Sequence, residues 1–391
     1  YFSYGAIDVD EQAPRAFLNA WHQFADAVCW VGAVHVIVLQ SDEEADMKAV
    51  YIEEQGGIEN LKYGEMPEPE PGPGEVLVRL HAAALNHLDV YARSGANRVA
   101  VGPFPHVLGS DMAGKVAALG EGVEGPEVGQ RVVVDYVVKC GVCDYCVIGR
   151  DEMCRRVRDM GIHLWGSYAE YVTAPAPNVY PVTDAISYDE AASIPLAFHT
   201  AWHCLVTRAG LQPGDTVLIN AAGSGVGTAG IQIARALQAR VLVTAGSDAK
   251  IEKAVELGAE GGINYTTMPE FGRPIREMAS GDGVDIVFDS VGTGVWDESF
   301  ASLRRGGRLV NCGVTSGHRV NLHLGMLFTR GLTVLGSGGR SRKEFTDFMR
   351  LVNSGALRGV VAKAFPLEEA QEAHRLMEDR DFFGKIVLQM P

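Results

Sequence analysis

The apolar positions of the chain follow two rhythms. Between Met47 and about residue 180 they come in short runs, such as Glu75-Val76-Leu77-Val78-Arg79-Leu80 and Arg131-Val132-Val133-Val134, broken by turns such as Pro71-Gly72-Pro73-Gly74. Short β-branched runs bounded by glycine and proline predict strands, so this part reads as a β-rich domain. From Ile194 the runs alternate with helical stretches. Thr216-Val217-Leu218-Ile219-Asn220 predicts a buried strand. A glycine loop comes next, then a helix over 229–237, a strand over 241–244, a helix over 250–257 and strands over 284–288 and 308–311. Strands alternating with helices predict a parallel, doubly wound sheet. A last segment from about Ser337 holds a helix over 344–352 and a closing strand over 385–388. The predicted fold class is α/β, a β-rich domain beside a doubly wound parallel sheet, and no internal repeat is present.

Residues 1–46 read differently from the rest of the chain. The chain opens at Tyr1, an acidic patch occupies 42–46, and the strand-like Met47-Lys48-Ala49-Val50-Tyr51-Ile52 comes next. The expectation is an upstream extension without chemistry of its own.

Composition narrows the classes. Of 391 residues, 47% are apolar and 21% charged, the balance of a soluble globular protein long enough for two domains. The net charge of −15 argues against nucleic acid or an anionic membrane as partner and leaves a small-molecule substrate. No apolar run has the length of a membrane span; the longest, 27–39, includes His35 and lacks the flanks of a signal peptide. Among the seven cysteines, Cys29, Cys204 and Cys312 are scattered and unpaired by pattern, which fits a reducing cytoplasm.

The other four cysteines, Cys140, Cys143, Cys146 and Cys154, are spaced C-x2-C-x2-C-x7-C. Four thiolates this close predict a tetrahedral Zn2+ site. A ferredoxin cluster has a shorter last spacing followed by proline, whereas Arg155 stands after the last cysteine here. Because four thiolates close the coordination sphere, such an ion folds a loop and performs no chemistry.

Between the strand at 216–220 and the next helix lies Ala221-Ala222-Gly223-Ser224-Gly225-Val226-Gly227. Glycines at a strand-to-helix turn let a pyrophosphate approach the backbone and the helix N-terminus. The second strand of such a unit reads the ribose. NAD sites place a carboxylate at its end, but this chain has Ser247 there, Asp248 late and Lys250 after it. Hydroxyl and cationic groups suit a 2′-phosphate, so NADPH is the expected cofactor, with NADH second.

From Met47 to its end the chain resembles the medium-chain dehydrogenase/reductase superfamily, the zinc-type alcohol dehydrogenases and quinone oxidoreductases. The resemblance is carried by Gly109-Ser110-Asp111-Met112-Ala113-Gly114, the cysteine lobe, Gly166-Ser167-Tyr168-Ala169-Glu170-Tyr171, the glycine loop, the stretch Val284 to Gly292 and Phe383-Gly384-Lys385-Ile386-Val387. It implies a GroES-like catalytic domain (47–195 and 338–391) with the zinc lobe at 140–154. A Rossmann domain (196–337) interrupts it, and the assembly is a homodimer or homotetramer. It also implies cofactor contacts from Thr200, Tyr265 and Gly313 beside those from Gly223, Ser224, Gly225, Val226 and Gly227.

The departures from the family pattern shape the functional expectation. Family alcohol dehydrogenases hold a second, catalytic zinc. Its cysteine, histidine and second cysteine correspond here to Asn86, Ser110 and Leu196, and the hydroxyl residue that relays the alcohol proton corresponds to Leu88. An amide, a hydroxyl and an aliphatic group do not replace thiolate and imidazole around Zn2+. His87, Asp89, His106, Asp111 and His163 are the residues from which a different metal site could be rebuilt. The stretch from Leu85 to Arg93 resembles the quinone-oxidoreductase form, which implies Asn86 as an orienting donor and Tyr91 as donor or proton source. The expected activity is an NADPH-dependent reduction of quinones or α,β-unsaturated carbonyls, including enoyl thioesters. The alternatives are an alcohol dehydrogenase with a remodelled metal site and a cofactor-binding scaffold without turnover.

Overall fold

A computed structural model describes residues 46–391. The expected extension lies outside the described residues except for Asp46, which opens the first strand, Asp46–Ile52.

Two sheets organise the described chain. The first is antiparallel for most of its width. Its strands run in the order Val179–Pro181, Arg131–Val134, Asp111–Leu119, Glu75–Ala84, Lys385–Gln389 and Val361–Pro366, and Tyr171–Pro175 also pairs with Glu75–Ala84. The last two members come from the C-terminal end of the sequence, so this domain is built from both ends of the described chain and Lys385 returns beside the residues just after Ala84. This is the arrangement that the resemblance to a GroES-like domain implies.

The second sheet is parallel throughout. Its order is Gly261–Asn264, Arg240–Ala245, Thr216–Ile219, Val284–Asp289, Leu303–Asn311 and Thr333–Gly336. The first strand in sequence is thus central and the order reverses beside it, the Rossmann arrangement that leaves a crevice at the carboxyl ends of the strands. Helices cover both faces, which is why the strands read as unbroken apolar runs. Val217, Ile219, Val241, Val243, Ile286 and Phe288 face one core with Ile231, Ile233, Phe345 and Phe348. Leu218, Leu242, Val287 and Leu309 face another with Phe271, Ile275, Trp296 and Phe300.

The expected elements are present, with shifted ends. The helix expected at 229–237 begins a turn earlier, at Gly225, and runs to Ala236. Ser224 explains the shift: its Oγ accepts from the Gly227 amide at 3.0 Å, capping the helix so that Gly225 and Gly227 lie inside the first turn. The strand expected at 308–311 extends back to Leu303. Cys204 and Cys312 are scattered in sequence, and the Cys204 thiol together with burial pushes the Cys312 thiol well above its ordinary value. No helix among the described residues is long and apolar enough to cross a membrane.

Candidate active site

Between the two sheets lies a cavity of about 490 Å³. One wall is the Rossmann loop of Gly223, Ser224, Gly225 and Val226, with Ala245, Gly246 and the stretch Cys312 to Thr315. The other holds Leu85 to Leu88, Tyr91, Tyr136, Asp159 and Lys385 from the GroES-like domain. Contacts give the cavity an order. Lys250 packs against Gly223, where a Cβ would meet its Cδ at 3.1 Å. The Lys385 stem packs against Gly225, where a Cβ would meet it at 2.5 Å. Thr200, on the helix Pro195–Trp202, then bonds Arg340, whose guanidinium lies 5.8 Å from the Tyr136 ring centroid.

This cradle fits a nicotinamide dinucleotide. The loop 223–226 brings bare backbone and the start of a twelve-residue helix to the cavity wall, the environment that accepts a pyrophosphate. Gly313 lines the far part, where the buried Asp289 carboxylate pins the neighbouring loop by accepting from the amides of Val291 and Gly292 and from Asn311 Nδ2. Most expected cofactor residues line the cavity: Thr200, Gly223 to Val226, Lys250, Tyr265 and Gly313. Gly227 and Ser247 do not. Gly227 is packed on backbone, where a Cβ would lie 2.5 Å from the Ala221 carbonyl oxygen, and Ser247 precedes the helix Asp248–Glu256 as its cap residue. Asp248 accepts from Asn264 Nδ2 at 3.0 Å and lines a separate hollow, so its carboxylate is turned away from this cavity. The Lys250 ammonium donates to the Arg380 carbonyl at 2.7 Å, placing Lys250, Arg380 and Tyr265 together at one end.

At the centre stands a cluster the sequence did not announce. Lys385 Nζ donates to Asn86 Oδ1 at 2.6 Å, to Asp111 Oδ2 at 2.8 Å and to the Leu85 carbonyl at 2.7 Å. Asn86 Nδ2 donates to Asp111 Oδ2 at 2.9 Å, and the Leu196 amide donates to Asp111 Oδ1 at 2.7 Å. The side chains of Lys385 and Asp111 are nearly or wholly buried, at 5% and 0% exposure, so the pair satisfies itself in a low-dielectric setting. Asn86 thus has its amide committed to the cluster. Tyr91 lines the cavity at a centroid distance of 6.4 Å from the His87 ring. Burial, then the charges of Arg380 and Lys385, lower His87 to about 4, so it is neutral at physiological pH.

The residues from which another metal site could be rebuilt do not converge. Asp89 accepts from the Asn86 amide at 2.7 Å and from the Tyr168 hydroxyl at 3.3 Å, and burial raises its carboxyl to about 7. His163 Nδ1 accepts from the Asp159 amide, His106 is buried in the strand His106–Val107, and Ser110 donates to the Met160 carbonyl. Among the described residues, one group of metal-ligating side chains comes together: Cys140, Cys143, Cys146 and Cys154, with all four sulfurs within 4.8 Å of one another. The sulfur pairs Cys143–Cys146, Cys140–Cys154 and Cys140–Cys146 are 3.5, 3.6 and 4.0 Å apart. A tetrahedron of thiolates at the usual Zn–S bond length has edges of about 3.8 Å, so this donor set fits one Zn2+.

Comparison with known proteins agrees with this architecture. Residues 72–184 match the alcohol dehydrogenase GroES-like domain and residues 225–354 the zinc-binding dehydrogenase domain. The acryloyl-coenzyme A reductase of Sulfurisphaera tokodaii is 30% identical over 88% of this chain and 100% of its own length. The chain belongs to the zinc-type alcohol dehydrogenase family. The 2-haloacrylate reductase of a Burkholderia species, another relative, is 33% identical over 87% of this chain and 98% of its own. A crystal structure of an NAD-dependent alcohol dehydrogenase superposes with a TM-score of 0.85 at 45% identity, covering 88% of this chain and all of its own. As a member of that family the chain is an oxidoreductase, and its cofactor is of the nicotinamide type. Lys385, Asp111, Arg340, Arg380, Tyr136 and Asp159 reach the cavity or its central cluster without having been singled out as site residues, apart from Asp111 as a conceivable metal ligand.

Proposed function

We propose that the chain is an NADPH-dependent reductase of conjugated acceptors (α,β-unsaturated carbonyls, including thioesters, and quinones) that works without a catalytic metal. The observation that carries this reading is the seat of the Lys385 ammonium. It is bound to Asn86, which stands where the alcohol dehydrogenase pattern calls for a thiolate ligand, and to Asp111, the residue after Ser110, where that pattern calls for imidazole. A cation already occupies that place, and the donors around it are an amide and a carboxylate shared with it.

When bound, the dinucleotide supplies a hydride at nicotinamide C4. The acceptor's β-carbon takes the hydride, its carbonyl oxygen takes the electron pair as an enolate, and a proton enters at the α-carbon. Lys385 spends its three N–H donors on three protein oxygens, so it contributes fixed positive charge to the developing enolate rather than a proton. Asn86 holds that ammonium in place. The Tyr91 hydroxyl, which lines the cavity and makes no hydrogen bond to another described residue, is the proton donor in this reading. Lys250, Arg380 and Tyr265 form the end that takes a 2′-phosphate, while Asp248 is bound to Asn264. The edge strand Thr333–Gly336, with Leu324 and Phe328 exposed beside it, is the surface proposed for pairing with a second copy.

A panel of a quinone, an enone, an acryloyl thioester and simple alcohols, run with NADPH and NADH, tests the reading. Reduction of conjugated acceptors with NADPH is expected; oxidation of alcohols with bound zinc near two per chain would instead support NAD-dependent alcohol dehydrogenation, the activity named for the structure at 45% identity.

A further inference from the structure

One of the cationic side chains at the cavity is left without an assigned partner. In a chain of net charge −15, its charged lining residues are Lys250, Arg340, Arg380 and Lys385 against Asp159 alone. Lys385 is held by Asp111 in the central cluster, and Lys250 and Arg380 stand together at the far end. Arg340 is left, at the end marked by Tyr136 and Asp159.

The Arg340 guanidinium uses Nε and Nη2 on one acceptor, Thr200 Oγ1, at 3.2 and 2.8 Å. Its Nη1 makes no hydrogen bond among the described residues, and no described carboxylate lies within ion-pair distance of it; Asp159 lines the same cavity without reaching it. The loop around it is held firmly. The Ser341 carbonyl accepts from His199 Nε2 at 2.9 Å, and Ser341 caps the helix Arg342–Asn353 with Glu344. The Arg342 amide donates to Asp151 in the cysteine lobe at 3.0 Å, and a Cβ at Gly339 would meet the Glu152 carbonyl at 2.4 Å. The zinc lobe therefore braces the segment that presents Arg340. A fixed cation with one donor edge unused, and with Asp159 near but outside ion-pair distance, can receive an anion.

Resting on the reading above, we infer that Arg340 selects the substrate class: a small α,β-unsaturated acid with a free carboxylate, bound by the guanidinium Nη1 edge at the Tyr136 end of the cavity. The chemistry needs such a group. An enoate is a poor hydride acceptor because its carboxylate is already electron-rich. Hydride addition at its β-carbon pushes a second negative charge onto the carboxylate, giving an enediolate, which a proton at the α-carbon then discharges. A guanidinium paired with those oxygens binds the developing dianion more strongly than the ground-state anion, so it contributes to turnover as well as binding. Arg340 thereby adds to the charge that Lys385 directs at the enolate, at the oxygens that a free acid presents.

The test uses the whole enzyme with bound NADP and two readouts. In steady-state assays, an acrylate-type acid should be preferred to its own methyl ester. Arg340→Met should collapse that acid-to-ester ratio in kcat/KM by about 100-fold, the loss typical of a charged hydrogen-bonded contact, while Arg340→Lys retains part of it. In calorimetry, the saturated product analogue propionate should bind the NADP-loaded enzyme and fail to bind Arg340→Met. A ratio unmoved by Arg340→Met, or propionate binding that persists in it, overturns the inference. A dinucleotide affinity that falls about tenfold with all acceptors suffering equally, the mark of a lost cofactor contact, overturns it as well. Absence of reduction of any conjugated acceptor sinks the reductase reading alone, since the propionate titration still decides whether Arg340 receives a carboxylate.

Discussion

Single side chains carry most of the chemistry. Lys385 and Asp111 come together across a sequence separation of 274 residues and are nearly inaccessible to water. Removing one member strands the other as an unpaired buried charge, which typically costs about 3–5 kcal/mol. Lys385→Met should therefore lose about that much in denaturant unfolding, and Lys385→Met/Asp111→Asn should regain most of it; equal instability of the single and double variants would refute a mutual pairing. His374 gives a second test. Its ring stands between Arg93 and the Tyr168 hydroxyl, and burial, with Arg93 adding to it, lowers it from its ordinary 6.5 to about 3. The unfolded chain takes up a proton near 6.5 and the folded one does not. The stabilisation is thus complete above that pH and lost as pH falls from 6.5 toward 3. Between pH 7 and pH 5 the loss should be about 2 kcal/mol. Stability curves of the wild type and His374→Gln should converge as the pH drops; parallel curves would show that His374 titrates normally. At this scale the sequence was only partly legible. Asn86 and Tyr91, singled out through the resemblance of Leu85 to Arg93, do line the cavity, as cap and member of the helix His87–Ser94. Arg340 sits in Gly338-Gly339-Arg340-Ser341-Arg342-Lys343, where nothing local separates it from its basic neighbours. Its meaning comes from Thr200, 140 residues away.

Elements were easier to read because periodicity and capping are local. The cysteine lobe announced its donor set through spacing alone, and the four sulfurs meet. Cys146→Ser should release the ion and loosen the lobe. Trypsin should then cut at Arg150 and Arg155, both already exposed, well before it cuts the wild type; equal protease resistance would mean that the lobe holds its shape without metal. The glycine loop was also legible, though its helix was placed a turn late because the Ser224 cap went unused as a signal. Gly223 lines the cavity, and the atoms nearest its absent Cβ belong to the Lys250 stem and the Phe383 ring rather than to backbone. Gly223→Val should therefore fold with an unchanged melting temperature while weakening dinucleotide binding at least about tenfold, read by NADPH fluorescence titration. Unaltered affinity would move the pyrophosphate away from this loop.

For the molecule as a whole, the informative contrast is between an acidic exterior and a cationic cleft. The net charge is −15, yet four of the five charged residues lining the cavity are basic. Composition argued against nucleic-acid partners but could not show where the minority charge gathers, since Lys250, Arg340, Arg380 and Lys385 are brought together only by the returning C-terminal strands and the crevice of the Rossmann sheet. Cofactor choice belongs to this scale. With Lys250 and Arg380 at one end and Asp248 turned to Asn264, Arg380→Ala should cut the preference for NADPH over NADH by about 10- to 100-fold. A preference for NADH in the wild type, unaltered by the substitution, would assign that corner to another role.

The central claim is that a protein ammonium, Lys385 on Asp111 and Asn86, holds the place where alcohol dehydrogenases of this family keep their catalytic zinc. The most direct measurement counts zinc by elemental analysis in enzyme that is actively reducing an enone. The account predicts one ion per chain, lost in Cys146→Ser. A second ion, retained by Cys146→Ser and required for turnover, would contradict it.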